Sequence, residues 1–224
     1  MVDKAEKQIS EEKETQMSKS SQLVLQIAGA ALFGALSIVF AAFVTPFVPR
    51  IPGWGIAIID PVSIIWVMCF LIFGARSGLL CCVLGTFGLM PFDPFAPIGP
   101  LMKLSATVAL IIIPIMFLKL YKTKERVRNV EKIKNIRNYI VYGIFGIILR
   151  IGVMMIANYL LFLTLFANIV AFVDLSFMWL PDISGWTAII IGVIVINAET
   201  SVWDLLIPYL IVFGLKIDEK FAIW

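Results

Sequence analysis

Long apolar runs alternate along this chain with short polar or proline-rich breaks. The apolar segments cover residues 22–43, 56–74, 78–90, 101–121, 139–166 and 186–215. Since a helix rises about 1.5 Å per residue and bilayer hydrocarbon is about 30 Å thick, most of these segments are long enough to cross a membrane. The segment 78–90 is short for a crossing, at about 20 Å, unless its flanking turns extend it. The pattern predicts an all-α integral membrane protein, a six-transmembrane-helix bundle.

The connections between the segments differ in character. Residues 45–55 hold three prolines and two glycines, and residues 91–100 hold four prolines and two phenylalanines. Because proline cannot continue a helix, both stretches are predicted to be loops. Residues 169–185 are also predicted to form a loop. Residues 1–20 and 218–224 are predicted to be cytoplasmic tails that flank one membrane domain, residues 21–217.

Composition and charge agree with a membrane location. The chain is 61% hydrophobic and 15% charged, whereas a soluble domain is about half apolar and a quarter charged. With six crossings and both termini in the cytoplasm, 15 of the 18 Lys and Arg residues fall on the inner side; Arg50 falls outside, and Lys103 and Arg150 lie within crossings. This positive-inside distribution predicts a multi-pass plasma-membrane protein surrounded by lipid, and it accounts for the net charge without a nucleic-acid partner.

The residue types argue against several classes of function. Histidine is absent, and the three cysteines lie in apolar segments, so neither a transition-metal site nor a disulfide framework is expected. The chain has no G-x-x-x-x-G-K-[ST], H-E-x-x-H or G-x-S-x-G motif. We therefore expect neither an enzyme nor a bound cofactor, and ATP-driven transport would need a separate ATPase.

Arg150 is the single cation of the segment 139–166. It lies roughly 18 Å along the helix from Asn138, near the middle of a bilayer. An arginine that faces lipid at this depth costs at least about 2.5–3.5 kcal/mol, so Arg150 must face protein, water or a ligand. Two interpretations stay open: an internal ion pair, for which Glu199 is the expected partner, or a wall of a solute site. Asp204 is expected to be structural.

Polar and aromatic residues accumulate towards the outer ends of the predicted helices. Aromatic walls with a few polar groups are typical of a small-molecule site. Asp60 has a second possible role, since it precedes a helix and can cap it. The candidate substrate-binding residues are Trp54, Asp60, Asp93, Lys103, Arg150, Asn158, Asn197 and Glu199.

Small residues recur four apart in the first apolar segment, where Ala30 precedes Gly34 and Ala31 precedes Ala35. This spacing gives a shallow helix face on which another helix can pack closely. The partner helix belongs either to this chain or to another subunit, and the four residues are candidates for a subunit interface.

The chain resembles the substrate-binding S components of energy-coupling-factor (ECF) transporters. The likeness covers about residues 22–216 and is carried by residues 30–35, 59–61, 73–80, 97–104, 149–150 and 196–197. It implies six helices, capture of a vitamin or similar micronutrient from outside, and assembly with a transmembrane T subunit and two cytoplasmic ATPases. Ala31 and Ala35 would then contact the T subunit.

Two features of the sequence narrow the range of solutes that the resemblance implies. Riboflavin-type members carry Asn followed three residues later by Lys, whereas Asn197 is followed by Thr200, and the lack of histidine disfavours cobalt or nickel. A stand-alone ion-coupled secondary transporter of a small solute is the alternative, with Glu199 and Asp204 as proton or cation sites. A membrane enzyme or assembly factor would rest only on scattered carboxylates.

Overall fold

The computed structural model describes residues 19–52, 54, 56–120 and 129–221. The predicted tails 1–20 and 218–224 lie partly outside this range, and residues 121–128 lie outside it as well. The helices of the described chain are α1 (Lys19–Phe43), α2 (Pro61–Phe73), α3 (Ala75–Leu89), α4 (Ile98–Leu120), α5 (Asn129–Lys134), α6 (Ile136–Thr164), α7 (Gly185–Gly214) and α8 (Ile217–Phe221). Short 3-10 turns at Thr45–Phe47, Ala167–Phe172 and Ser176–Met178 lie in the connections. The all-α class is confirmed.

Four helices of the described chain are long and apolar enough to cross a membrane: α1, α4, α6 and α7. Helices α2 and α3 are apolar but have only 13 and 15 residues. The predicted second crossing is shortened because α2 begins at Pro61, and the residues just before it form an irregular approach. Length and composition therefore identify four candidate crossings, two fewer than the sequence pattern predicts.

Helices α2 and α3 form a tight antiparallel hairpin. Gly74 joins them with a φ of 94°, in the region that favours glycine. The two helices approach so closely that a Cβ added to Gly78 would lie 2.6 Å from Phe70, and one added to Gly85 would lie 2.4 Å from the Trp66 ring. Glycines on α3 therefore allow bulky side chains of α2 to pack against its backbone.

Helix α2 is the centre of the bundle, because 12 of its 13 residues are buried. It packs against α1, α3 and α7, and its Trp66, Phe70 and Leu71 side chains are almost fully enclosed. Residues 61–73 form no polar helix face, which agrees with this burial, since a helix that is apolar all round is surrounded by protein or lipid.

Contacts between helices fix their directions. Helices α4 and α6 are antiparallel, because Ala106 shares a core cluster with Met154 while Phe117 stacks on Tyr142. Helices α6 and α7 are antiparallel as well, since the Tyr139 hydroxyl donates to the Leu205 carbonyl at one end and the rings of Tyr159 and Trp186 meet at the other. Helix α1 runs parallel to α3, with Gly34 beside Leu84 and Gly88 beside Ile38.

These directions give the bundle two distinct ends. The end that carries the connections 44–60, 90–97 and 165–184 is called the loop end. The opposite end, called the basic end, carries the start of α1 together with α5 and α8. Both extremities of the described chain therefore lie at the basic end.

A small β-hairpin at the loop end differs from the sequence expectation of a plain loop. Strands β1 (Asp174–Leu175) and β2 (Leu180–Ser184) pair antiparallel with an irregular register. A two-residue strand is too short to show the alternation by which a strand is recognised in a sequence.

An ion-pair cluster closes the basic end. The Lys134 ammonium donates to Asp218 Oδ2 at 3.1 Å and to Glu219 Oε1 at 2.8 Å, and the Tyr209 hydroxyl donates to the Lys134 carbonyl at 2.8 Å. The hydrogen bonds to Glu219 and Asp218 raise the pKa of Lys134 above its ordinary value. The cluster ties α8 to the end of α5.

Candidate solute-binding cavity

The bundle encloses a cavity of about 800 Å³ near its loop end. This volume is in the range of small-molecule sites. Helices α4, α6 and α7 line it over several turns, whereas α2 and α3 contribute only residues at their ends, such as Ser63 and Leu89. The cavity therefore lies over the ends of the two short helices. Its aromatic walls include Trp54, Phe92, Phe95, Phe162 and Phe166.

Arg150 lies in the wall of this cavity, halfway along α6 and about 21 Å from either end of that helix. Its NH1 donates to Asp204 Oδ2 at 2.5 Å, its NH2 to Thr200 Oγ1 at 3.1 Å and its Nε to Asn197 Oδ1 at 3.4 Å. The Arg150 side chain is 7% exposed and the Asp204 side chain is fully buried. The guanidinium is thus held by α7 and kept away from lipid, as expected for a cation at this depth.

The ion-pair partner expected from the sequence was wrong. Asp204 pairs with Arg150, whereas Glu199 Oε1 accepts a hydrogen bond from Trp203 Nε1 at 2.5 Å. Residues 197, 200 and 204 follow the i, i+3, i+7 spacing of one helix face, and Glu199 is two residues from Asn197 and faces elsewhere. Similar depth in the membrane did not bring Arg150 and Glu199 together, because rotation around α7 separates them.

Asp60 and Lys103 form a second ion pair in the cavity wall, with 2.8 Å between Lys103 Nζ and Asp60 Oδ1. Asp60 is also the N-cap of α2, where Oδ1 accepts from the Val62 backbone N–H at 3.1 Å and Oδ2 accepts from the Ser63 hydroxyl at 2.6 Å. Asp60 therefore caps α2 and lines the cavity, and its role in substrate binding stays a prediction.

Trp54 holds the proline-rich connection 44–60 against the opposite side of the bundle. Its indole Nε1 donates to the Asp174 carbonyl at 3.1 Å, and its ring meets Phe177 edge to face, with centroids 5.9 Å apart. A Cβ added to Gly192 of α7 would lie 2.3 Å from the Trp54 ring. The absence of a side chain at Gly192 is what lets the indole approach α7 so closely.

The remaining polar residues of the cavity wall have fewer hydrogen-bond partners. Asp93 Oδ1 accepts from the Phe95 backbone N–H at 2.8 Å. Asn158 Nδ2 donates to the Met154 carbonyl at 2.8 Å, and its Oδ1 has no partner among the described residues. Thr107 was missed by the sequence analysis: it is fully buried in the wall, and its hydroxyl has no partner in the described chain. Its position one turn after Lys103 on α4 was the available signal.

Seven of the eight candidate substrate-binding residues meet in this one cavity. They are Trp54, Asp60, Asp93, Lys103, Arg150, Asn158 and Asn197. Glu199 is not among the lining residues, and its Oε2 is buried without a partner in the described chain. Binding of a solute by the seven stays a prediction.

The small-residue strip of α1 divides into two faces. Ala30 and Gly34 are buried inside the bundle, where Gly34 faces Leu84 of α3, so these two residues pack internally and were wrong as candidates for a subunit interface. Ala31 and Ala35 are exposed on the outer side of α1, beside exposed Leu32. Internal packing is therefore observed for one face of the strip, and a subunit interface on the other face stays a prediction.

Comparison of the chain with protein-family models, with characterised proteins and with solved structures gives no match. Among the described residues, no group of three or more His, Cys, Asp or Glu side chains is placed to hold a metal ion. The chemistry of the cavity must therefore be argued from its own residues.

Proposed function

We propose that the protein is the membrane-embedded substrate-capture subunit of an ECF-type importer and binds a vitamin or related micronutrient from the extracellular side. The observation that carries the proposal is the cavity of about 800 Å³, which extends from the proline-rich loops to Arg150 at mid-depth. A cation buried for structure alone needs no cavity beside it. A cavity with aromatic walls and a few polar groups suits a small organic solute.

The distribution of cations supports an outward-facing cavity. At the basic end of the described chain lie Arg76, Lys119, Lys132, Lys134, Arg137, Lys216 and Lys220, whereas the loop end carries Arg50 and Lys103, both in the cavity wall. Since cytoplasmic segments of membrane proteins are enriched in Lys and Arg, we place the basic end and both termini in the cytoplasm. The loop end with the cavity then faces outside.

Six crossings are part of this proposal. Helices α2 and α3 run in opposite directions between the crossings α1 and α4, so each traverses part of the bundle thickness. At about 20 and 22 Å they are short for bilayer hydrocarbon. Helix α2 is almost wholly enclosed by protein, so lipid does not dictate its length.

The exposed face of Ala31 and Ala35 is the proposed contact for a transmembrane T subunit, as the resemblance to S components implies. Two cytoplasmic ATPases would supply the energy, because the chain has no phosphate-binding loop of its own. A partner helix can approach such a face closely, since alanine side chains leave its backbone accessible.

Affinity purification from native membrane, followed by mass spectrometry, tests the assembly. We expect a multi-pass subunit and two ATPases to co-purify with the wild-type chain. The matched control is a chain with Leu at positions 31 and 35, which should fold and retain solute while losing the partners. Recovery of the wild-type chain alone, from membranes in which it is expressed at native level, would contradict the proposal.

A stand-alone ion-coupled carrier is the second candidate, favoured by one observation. Glu199 lies near the middle of α7, and its Oε2 is buried with no partner among the described residues. An acidic group at that depth is a candidate proton or cation site. Uptake of solute by the purified chain in liposomes under a proton gradient, lost in Glu199→Gln, would favour this function; no uptake without the ATPases favours capture.

A further inference from the structure

Two cations of the cavity wall, Arg150 and Lys103, have N–H bonds that no described protein group accepts. A guanidinium has five N–H bonds, and Arg150 uses three of them on Asn197, Thr200 and Asp204. The Lys103 ammonium has one partner in the described chain, Asp60, and retains N–H bonds with no protein acceptor. The open acceptors among the described wall side chains include the amide oxygen of Asn158 and Asp93 Oδ2, so Lys103 and Arg150 together still have N–H bonds to offer. The group that completes this site should therefore carry acceptor oxygens.

The two acidic residues of the cavity wall, Asp60 and Asp93, already accept hydrogen bonds from backbone N–H groups. Asp60 accepts from the first turn of α2 and from Ser63 as well as from Lys103. Asp93 accepts from the Phe95 N–H, and its carboxylate lies against the first turn of α4, where a Cβ on Gly99 would be 2.6 Å from Oδ2. Lys103 neutralises Asp60, and the partial positive charge at the N-terminus of α4 stabilises the Asp93 carboxylate. The wall around Lys103 and Arg150 is thus poorly suited to an organic cation.

The pairing of the wall cations limits the charge of the solute. Lys103 has Asp60 as a counter-charge and Arg150 has Asp204, and the third cation of the lining, Arg50, also has an interaction within the chain. The two pairs are near enough for Asp60 and Lys103 to act electrostatically on Asp204. A doubly charged phosphate would bring a second negative charge into these apolar surroundings, beside wall cations that already have partners, at high desolvation cost. Among anionic groups, a single carboxylate adds two acceptor atoms and only one charge.

We propose that the cavity is selective for organic monocarboxylates, with the carboxylate between Lys103 and Arg150 and an apolar body against Trp54 and the wall phenylalanines. This assignment rests on the proposed capture function and specifies its solute class. The Asn158 oxygen then accepts from an N–H or O–H on the body of the solute.

Binding to the purified full chain in detergent tests the class with matched acids and neutral analogues. The probes are biotin against biotinamide, lipoate against lipoamide, nicotinate against nicotinamide and pantothenate against panthenol, with pyridoxal 5′-phosphate as the doubly charged comparison. We expect at least one acid to bind about tenfold or more tightly than its neutral partner, the effect of one charge-assisted hydrogen bond. Isothermal titration calorimetry measures both members of each pair.

Three variants test whether Lys103 is responsible for the preference for the acid over its neutral analogue. Lys103→Met should abolish the preference for the acid, and Lys103→Arg should retain it. Lys119→Met is the matched control, because Lys119 is an exposed lysine at the opposite end of the same helix, outside the cavity, and it should change nothing. If Lys103→Met fails to fold, retention of the preference in Lys103→Arg but not in Lys103→Gln gives the same answer.

The outcomes separate this inference from the capture function. Equal binding of the acid and its neutral partner in every pair, tighter binding of the phosphate, or no binding of any acid would overturn the monocarboxylate assignment, and all three would leave ATPase co-purification unaffected. Conversely, loss of ATPase co-purification with an intact acid preference would contradict the capture function and leave the solute class standing.

Discussion

Arg150 and Asp204 form an ion pair between two antiparallel helices, near the middle of α6 and seven residues after Asn197 on α7. Three side chains on a single face of α7 hold the guanidinium, so the pair contributes to both the rotation and the axial position of α7 against α6. The same guanidinium forms part of the cavity wall. One interaction therefore contributes both to the helix register and to the shape of the site.

Removing one partner of this pair should be more harmful than removing both. Asp204→Ala leaves a buried guanidinium without its counter-charge, and we expect a loss of about 3–5 kcal/mol of stability. The double variant with Met at 150 and Leu at 204 should recover most of it, because an apolar pair of similar volume avoids the desolvation cost. Thermal unfolding in detergent measures all forms, and a double variant less stable than Asp204→Ala would contradict the expectation.

A side chain at position 192 should displace the indole of Trp54. Gly192→Ala places a Cβ 2.3 Å from the ring, and we expect about 1–3 kcal/mol of destabilisation together with weaker solute binding. Gly152→Ala on α6 is the matched control, since a Cβ there meets nothing within 4 Å. Calorimetric unfolding and solute titration distinguish the two, and equal behaviour of both variants would show that the Trp54 contact has no role.

Two faces of α1 should respond differently to the same substitution. Gly34→Leu inserts a side chain where even its Cβ would lie 3.3 Å from Leu84 Cβ, so stability should fall by about 1–3 kcal/mol. Ala31→Leu and Ala35→Leu point outwards and should leave unfolding within about 0.5 kcal/mol of wild type. Their effect should appear only as lost co-purification of partners. Equal stability of the Gly34 and Ala31 variants would argue against the observed orientation of α1.

The cluster at the basic end should weaken in strong alkali. Hydrogen bonds to Glu219 and Asp218 raise the pKa of Lys134 above the ordinary lysine value of about 10.4. A raised folded-state pKa means that the contribution to stability is complete below about pH 10.4 and is lost as pH rises through the higher value. Unfolding of Lys134→Met, measured between about pH 9 and 12, should show a smaller alkaline loss than the wild type; parallel pH curves would count against the cluster.

The sequence predicted the helices well because each one is a long apolar run bounded by a helix breaker. The predicted first and last segments, 22–43 and 186–215, differ by three residues or fewer at each end from α1 and α7. The largest disagreement is at α2, where residues 56–60 are apolar enough to extend the run but precede the first turn that Asp60 caps. Hydropathy records composition, and it does not show where the backbone enters a helix.

Which side chains pair between helices was harder to predict from the sequence. Depth along each helix can be counted from the sequence, and it correctly placed Arg150 and the α7 polar residues at similar levels. Rotation of one helix against another is set by packing across the whole interface, such as Gly146 of α6 against the Leu110 carbonyl of α4. The local sequence pattern does not contain the relative rotation of the helices. It therefore indicated Glu199 as the partner of Arg150, where the structure has Asp204, and it did not indicate Thr107.

The shortness of α2 and α3 accounts for the hollow above them. Their neighbours α4, α6 and α7 line the cavity over several turns, whereas only residues at the ends of α2 and α3 reach it. The space for a solute therefore follows from the short length of these two helices. Related proteins could accommodate larger or smaller solutes by starting this central helix a turn later or earlier while keeping the outer helices unchanged.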